Sequence, residues 1–142
     1  MKKILFATAI LTSLISTSCK KKGCIDSLAS NYDEKAKKDD GTCTFEGSVV
    51  FWIGETESIS LVSSGVAELN VYVDNVKVGD QGSNIYHSSN PGCGAPTVVT
   101  KSVDLGTAKT KVVSYKIIDE DSTTHYSGQV TVGTGCTDVE MN

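Results

Sequence analysis

The first 19 residues constrain the fold of this chain most, because they have the layout of an export signal. Lys2 and Lys3 form a basic start, residues 4–15 are an apolar run broken only by Ala, Thr and Ser, and small residues occupy positions 16–18. The run is too short to span a bilayer, which takes about 20 apolar residues. Exported chains fold in an oxidising compartment, so the cysteines are expected to pair as disulfides.

Cys19 directly follows the small residues, and this placement resembles the signal of a bacterial lipoprotein. The resemblance implies that residues 1–18 are removed and that Cys19 is acylated and becomes the new N-terminus. Ser16 stands where such signals usually have Leu, and relaxed patterns of this kind are common in Bacteroidota-type lipoproteins. The alternative is an ordinary secretory signal that ends near a cysteine. We expect an envelope lipoprotein whose membrane contact is its lipid anchor.

Three lysines at positions 20–22 follow the anchor, and residues 19–22 are expected to form a tether. We interpret these lysines as a solvated spacer, and the alternative is contact with anionic lipid headgroups. Surface lipoproteins of Bacteroidota often have acidic residues at this place. The lysines therefore favour an outer-membrane position that faces the periplasm.

Composition limits the kinds of partner. The 142 residues carry a formal charge of −4, and all 13 basic residues are lysines. Without arginine the chain lacks the bidentate groups that read phosphates and guanines, so no nucleic-acid partner is expected. Removal of residues 1–18 leaves 124 of the 142 residues, which suffices for one domain and a short appendage.

The cysteines lie at positions 19, 24, 43, 93 and 136. If Cys19 is acylated, four remain, and an even number in an exported chain predicts two disulfides. Counting alone leaves three pairings open. No two cysteines have the C-x-x-C spacing of a zinc or thioredoxin-type site.

Residues 23–45 hold the most specific motif of the mature chain. The fixed positions of the pattern C-x-D-x-x-A-x-N-Y-x-x-x-A-x-x-D-D-G-[ST]-C are all met, by Cys24, Asp26, Ala29, Asn31, Tyr32, Ala36, Asp39, Asp40, Gly41, Thr42 and Cys43. The stretch closely resembles a short module that is often repeated in secreted Bacteroidota proteins. The resemblance implies a self-contained module closed by a Cys24–Cys43 disulfide, and it implies no activity.

The acidic residues of this module fit two interpretations. Asp26 is placed to cap a helical turn, and Asp40-Gly41 is a tight-turn signal. Asp33, Glu34, Asp39 and Asp40 also suggest a calcium loop, but Ala36 and Lys38 occupy positions where ligands are required. We therefore prefer turn chemistry and expect no metal or other cofactor.

From Glu46 onward the pattern is typical of β structure. Alternating or β-branched residues predict strands at 49–53, 67–73, 76–78, 97–105, 111–118, 126–132 and 138–141. Residues 55–64 are polar and rich in Ser, which predicts a loop with a weak strand at 59–62, and no long helix is expected after Cys43. The spacing predicts a mainly β fold over residues 46–142, an antiparallel β-sandwich of the immunoglobulin or transthyretin type.

Three elements of this second part are generic hairpin signals: residues 71–79, Cys93-Gly94 and residues 128–136. Together they loosely resemble small secreted Bacteroidota β-domains. The likeness supports a Cys93–Cys136 disulfide and says nothing about ligands.

No catalytic motif is present, and His87 and His125 are the only histidines. We expect a non-catalytic envelope lipoprotein that binds a protein or glycan or serves as a spacer, with Trp52, Tyr72 and Tyr86 as its binding surface. One alternative is a small periplasmic hydrolase. A cleft that holds a histidine together with a carboxylate would support this alternative. Another is an inhibitor-like or immunity-like module.

Overall fold

The computed structural model describes residues 20–142. The predicted signal peptide and Cys19 lie outside the described residues. Seven strands and one helix follow one another along the chain: β1 (Phe45–Ile53), α1 (Glu55–Ser63), β2 (Glu68–Val73), β3 (Val76–Gly82), β4 (Val99–Gly106), β5 (Thr110–Asp119), β6 (Thr124–Gly133) and β7 (Gly135–Met141). Within residues 20–142, no helix has the length and apolar character needed to cross a bilayer.

The strands form two packed sheets, as the mainly β prediction required. One sheet has the order β4-β1-β7 and the other the order β3-β2-β5-β6. The core between them is made of alternate residues of facing strands, including Val49, Phe51, Ile53, Leu69, Val71, Val73, Val113 and Ile117. The Asp74-Asn75 turn between β2 and β3 has positive φ at both residues, the conformation of a tight hairpin turn.

The sheets are not wholly antiparallel. β7 runs parallel to β1, with Trp52 opposite Glu140 and Ile53 opposite Met141, while β4 pairs with β1 in the antiparallel sense. The expectation of an entirely antiparallel sandwich was therefore wrong for this edge. The last strand returns from the other sheet, and it can add to β1 in parallel because it is not joined to β1 by a hairpin.

A second difference lies between β1 and β2, where residues 55–63 form α1 instead of a loop with a weak strand. Ser58 and Leu61 are the buried residues of the helix. The Ser58 hydroxyl donates a hydrogen bond of 2.6 Å to the carbonyl of Ser83. The helix carries the chain from one sheet to the other and holds the start of the β3–β4 connection.

The cysteine-flanked module packs directly on the sandwich. Cys24 and Ala29 belong to the same buried core as Phe45, the first residue of β1. Lys109, next to β5, pairs with Asp26 at 2.6 Å and lies 5.5 Å from the centre of the Phe45 ring. The module is thus closed by its own disulfide and also fixed to the sandwich.

Both disulfides have the pairing that the two resemblances implied. Cys24–Cys43 closes the module, and Cys93–Cys136 joins the β3–β4 connection to β7. Cys136 lies on an edge strand, so the second disulfide holds the long loop against that edge of the three-stranded sheet.

Candidate functional site

Two neighbouring cavities open at the end of the sandwich where β1 and β7 finish. The larger has a volume of about 400 Å³ and is lined by the end of β1, the first turn of α1, the β3–β4 connection and the end of β7. The smaller, of about 330 Å³, is lined by residues of β5, β6 and β7. Glu140 and Asn142 line both, so the two cavities adjoin.

Local structure brings distant residues to the larger cavity. Trp52 and Glu140 are register partners in the parallel β1–β7 pair, so their side chains lie on the same face of the sheet. The backbone N–H of His87 donates to the carbonyl of Ile53 at 3.0 Å, which holds the β3–β4 connection over the end of β1. A Cβ on Gly54 would lie 3.3 Å from Glu140 Oε1, so this carboxylate rests against the start of α1.

Two residues that line this cavity, Trp52 and His87, each have a polar atom that is buried from solvent. Among the described residues, neither Trp52 Nε1 nor His87 Nε2 has a hydrogen-bond partner. The Trp52 side chain is almost wholly enclosed, with 6% of the residue exposed. An unsatisfied buried polar group costs about 1–3 kcal/mol and is rare in native structures, so each such group calls for an explanation.

The charged residues of the cavity wall are acidic. Glu55, Glu57 and Glu140 line it, and no lysine of residues 20–142 does so. The Tyr86 hydroxyl donates to Glu55 at 3.3 Å, and the Tyr126 hydroxyl donates to Glu57. Burial, and then the neighbouring Glu57 carboxylate, raise the pKa of Tyr126.

Helix α1 begins beside these carboxylates with Gly54 as its N-cap, and no side chain of residues 20–142 caps its first turn. The backbone N–H groups at the start of a helix have no partner within the helix. The cavity wall therefore holds carboxylate acceptors beside the start of α1, and it includes Trp52, whose N–H is buried.

One residue that lines the smaller cavity, His125, belongs to a histidine–carboxylate pair. His125 Nε2 lies 3.0 Å from Asp119 Oδ2. The other oxygen of Asp119 accepts hydrogen bonds from the backbone N–H groups of Asp121 at 2.9 Å and Thr123 at 2.7 Å. The bond to His125, followed by that to Thr123, holds the pKa of Asp119 below its usual range. These bonds close the β5–β6 turn, which gives the pair a structural role.

The predicted aromatic surface is only partly assembled. Trp52 lines the larger cavity, and Tyr86, with 46% of the residue exposed, reaches the same end through its bond to Glu55. Tyr72 lies on the outer face of the other sheet, with Lys116 Nζ 5.8 Å from its ring centre. The structure thus brings together two of the three predicted residues.

The acidic residues of the module form turns, as predicted. The Asp26 carboxylate accepts from the N–H of Leu28 at 3.0 Å, and those of Asp39 and Asp40 accept from Gly41 at 2.9 Å and Thr42 at 3.1 Å. Over residues 20–142, no cluster of three or more His, Cys, Asp or Glu is placed to hold a metal ion.

Glu55, Glu57 and Glu140 were not recognised as site residues from the sequence. Glu55 and Glu57 belong to the stretch that we predicted to be a loop, and Glu140 joins them only because β7 pairs with β1. No protein family model, curated protein or solved structure matches this chain. Function is therefore inferred from the chemistry of the two cavities.

Proposed function

We propose that this protein is a lipid-anchored, non-catalytic binding protein of the cell envelope, and that it holds a glycan in the larger cavity. The observation that carries the proposal is that Trp52 and His87, each with an unsatisfied buried polar atom, line the same cavity as three carboxylates. A sugar hydroxyl both accepts and donates hydrogen bonds. A ligand of this kind donates to the carboxylates, and accepts from the Trp52 N–H once the wall opens to expose it.

The charge of the wall narrows the class of glycan. Three glutamates, with no lysine beside them among the lining residues that the structure describes, repel uronic acids, sialic acids and phosphorylated sugars, so the ligand is a neutral or amino sugar. A basic peptide also offers donors to the carboxylates and, through its backbone carbonyls, acceptors to a donor such as the Trp52 N–H. The sugar titration described below separates the two classes of ligand.

The cavity lies far from the module, which suits a protein that presents its binding site away from the membrane. The module packs at Phe45, the first residue of β1, and the cavity lies beyond Ile53, the last. At about 3.3 Å per residue, the nine-residue strand separates the two by about 26 Å. An acylated Cys19 next to the module would place the anchor and the binding site at opposite ends of the molecule.

Trp52 allows a direct test, because it is the only tryptophan of the chain. Titration with neutral and amino oligosaccharides, such as xylotetraose, maltotetraose and chitosan tetramer, should change its emission in a saturable way. Galacturonate tetramer should give no change. Glu140→Gln and His87→Ala should each weaken binding about tenfold, whereas Tyr72→Phe, on the distant sheet face, should leave it unaltered. No emission change with a broad panel of these sugars would refute the glycan assignment.

The His125–Asp119 pair favours one second candidate, a hydrolase. A carboxylate that orients an imidazole is found in many hydrolytic sites. The same oligosaccharide mixtures, incubated for a day and analysed by mass spectrometry, separate the two functions. Binding without shortened products supports the binding protein, and cleavage that disappears in His125→Ala would establish the hydrolase.

The anchor has its own test. Mass spectrometry of the membrane-extracted protein should show a diacylglyceryl group on Cys19, and Cys19→Ala should release the protein into the soluble fraction. A Cys19→Ala protein that stays in the membrane would place the tether elsewhere, whatever the result of the sugar titration.

A further inference from the structure

Two lysine-rich segments, one from the tether and one from the cysteine-flanked module, lie side by side. Six lysines of these segments are all exposed: Lys20, Lys21, Lys22, Lys35, Lys37 and Lys38. The backbone N–H of Lys37 donates to the carbonyl of Lys21 at 2.8 Å, and Lys22 forms a β-bridge with Lys38. Lys21 and Lys22 are thus attached to the module by their backbone, where the sequence suggested a solvated spacer. We call these six residues the lysine face.

The acidic residues of the module do not cancel the lysine face. Asp26 pairs with Lys109 of the sandwich and so lies toward the sandwich. Asp33 pairs with Lys21 at 2.5 Å, and the bond to this lysine lowers the pKa of Asp33. With the Asp26–Lys109 pair left out of both counts, six lysines stand against four acids in residues 20–45, a net charge of +2. Residues 46–142 then hold four lysines against 12 acids, a net charge of −8.

We propose that the lysine face docks on an anionic phospholipid leaflet and orients the protein with its cavity end away from the membrane. The surface potential of such a leaflet falls off within a Debye length, about 8–10 Å at physiological salt. The cavity end lies about 26 Å from the module along β1. The lysine face therefore lies within the attractive potential, while most of the acidic sandwich lies outside its reach.

This proposal is independent of the cavity and of acylation, since the lysines act whether or not Cys19 carries a lipid. Each net positive charge near an anionic surface strengthens binding by about fivefold. Two net charges predict partitioning about 25-fold stronger on anionic vesicles than on neutral ones at low salt. Screening should abolish most of this preference at high salt.

The test uses the chain from residue 19 onward, which contains the whole described fold, with Cys19→Ala so that no lipid contributes. Co-sedimentation with phosphatidylcholine vesicles, with and without 30% phosphatidylglycerol, should show the 25-fold preference in 50 mM NaCl and its loss in 500 mM NaCl. Lys35→Glu, Lys37→Glu and Lys38→Glu together should abolish the preference.

A matched control changes three exposed lysines of the sandwich in the same way: Lys77→Glu, Lys101→Glu and Lys116→Glu. Both triple variants change the net charge by −6, so only the place of the charges differs. Retention of the preference in the control supports the lysine face. An equal loss in both, or an absence of preference in the unaltered protein, overturns the proposal. The corresponding lysine-to-glutamine triple of the module, checked by circular dichroism, guards against misfolding.

Discussion

Gly47 is the position where a single methyl group should damage this fold most. It is buried in β1, opposite Val103 of β4 and Gly135 of β7. A Cβ at this position would lie 3.1 Å from a methyl group of Val132, and far less than 3.0 Å from the carbonyl oxygen of Gly133. The obstructing oxygen is a backbone atom, so it cannot move aside by a change of rotamer. Gly47→Ala must therefore displace β1 or the β6–β7 connection.

The loss of folding stability in Gly47→Ala should lie near the upper end of the range measured for overpacked cores. Extra methyl groups in well-packed cores typically destabilise by about 1–3 kcal/mol. Displacement of β1 also disturbs Val49 and Phe51, which are wholly buried in the core. We expect a loss of about 3 kcal/mol in the free energy of unfolding. For a domain of this size, about 4 °C per kcal/mol gives a fall in Tm of about 12 °C.

Gly133→Ala is the matched control, because it adds the same methyl group to the other partner of the same close contact. A Cβ on Gly133 meets no atom within 4 Å. This substitution should change stability by less than about 1 kcal/mol. Thermal unfolding of the oxidised protein, followed by circular dichroism or calorimetry, compares the two. This reasoning would be refuted if Gly47→Ala melted within 3 °C of the unaltered protein, or if its Tm were no lower than that of Gly133→Ala.

Two further perturbations test the disulfide and the β5–β6 turn. The Cys93–Cys136 bridge spans 43 residues, and its removal by a double change to Ser should reduce stability by about 4 kcal/mol on the chain-entropy model. Tm should fall strongly, while the β-type circular dichroism persists at low temperature. An unaltered Tm would show that the bridge does not stabilise the fold. The pKa of Asp119 is lowered from its ordinary value of 3.8, so the stability that this carboxylate contributes is present above pH 3.8 and is lost as the pH falls through the lowered value. The Tm difference between the unaltered protein and Asp119→Asn should therefore shrink between pH 7 and pH 2.5, and an equal difference at both pH values would contradict this assignment.

The strands were predictable because their side chains alternate. Leu69, Val71 and Val73 of β2 are all buried, and the intervening Asn70 and Tyr72 are only partly so. This period of two follows from the pleat of a strand and is visible in any sequence with one buried face. The tight turn between β2 and β3 was visible for a similar reason, since Asp and Asn tolerate positive φ.

Helix α1 was hidden because its sequence has almost no helical apolar face. Ile59 and Val62 are 60% and 49% exposed, and one of the contacts that fix the helix is made by the hydroxyl of Ser58. A buried serine looks like a loop residue until its partner, the carbonyl of Ser83, is known. The direction of β7 was hidden in the same way, because alternation does not tell a strand which neighbour it joins or in which sense.

The cavity depends on both hidden features, which explains why its acidic residues could not be grouped in advance. Glu55 and Glu57 enter through α1, and Glu140 enters through the parallel β7. Trp52 was identified as an aromatic of interest, but the lack of a partner for its N–H is a property of the packed structure. Sequence patterns identify the framework here, and long-range pairing determines the site.

The rigid attachment of the module links the two proposals. If the module were joined to the sandwich by a flexible linker, its orientation on a membrane would not affect the cavity. Cys24 and Ala29 instead pack into the core that Phe45 and β1 share, and Asp26 is paired with Lys109. An orientation imposed on the lysine face is therefore transmitted along β1 to the cavity. Asp26→Asn removes the Asp26–Lys109 pair and should leave vesicle binding intact. It should weaken the attachment of the module to the sandwich. Limited proteolysis should then cleave the chain faster between the module and β1.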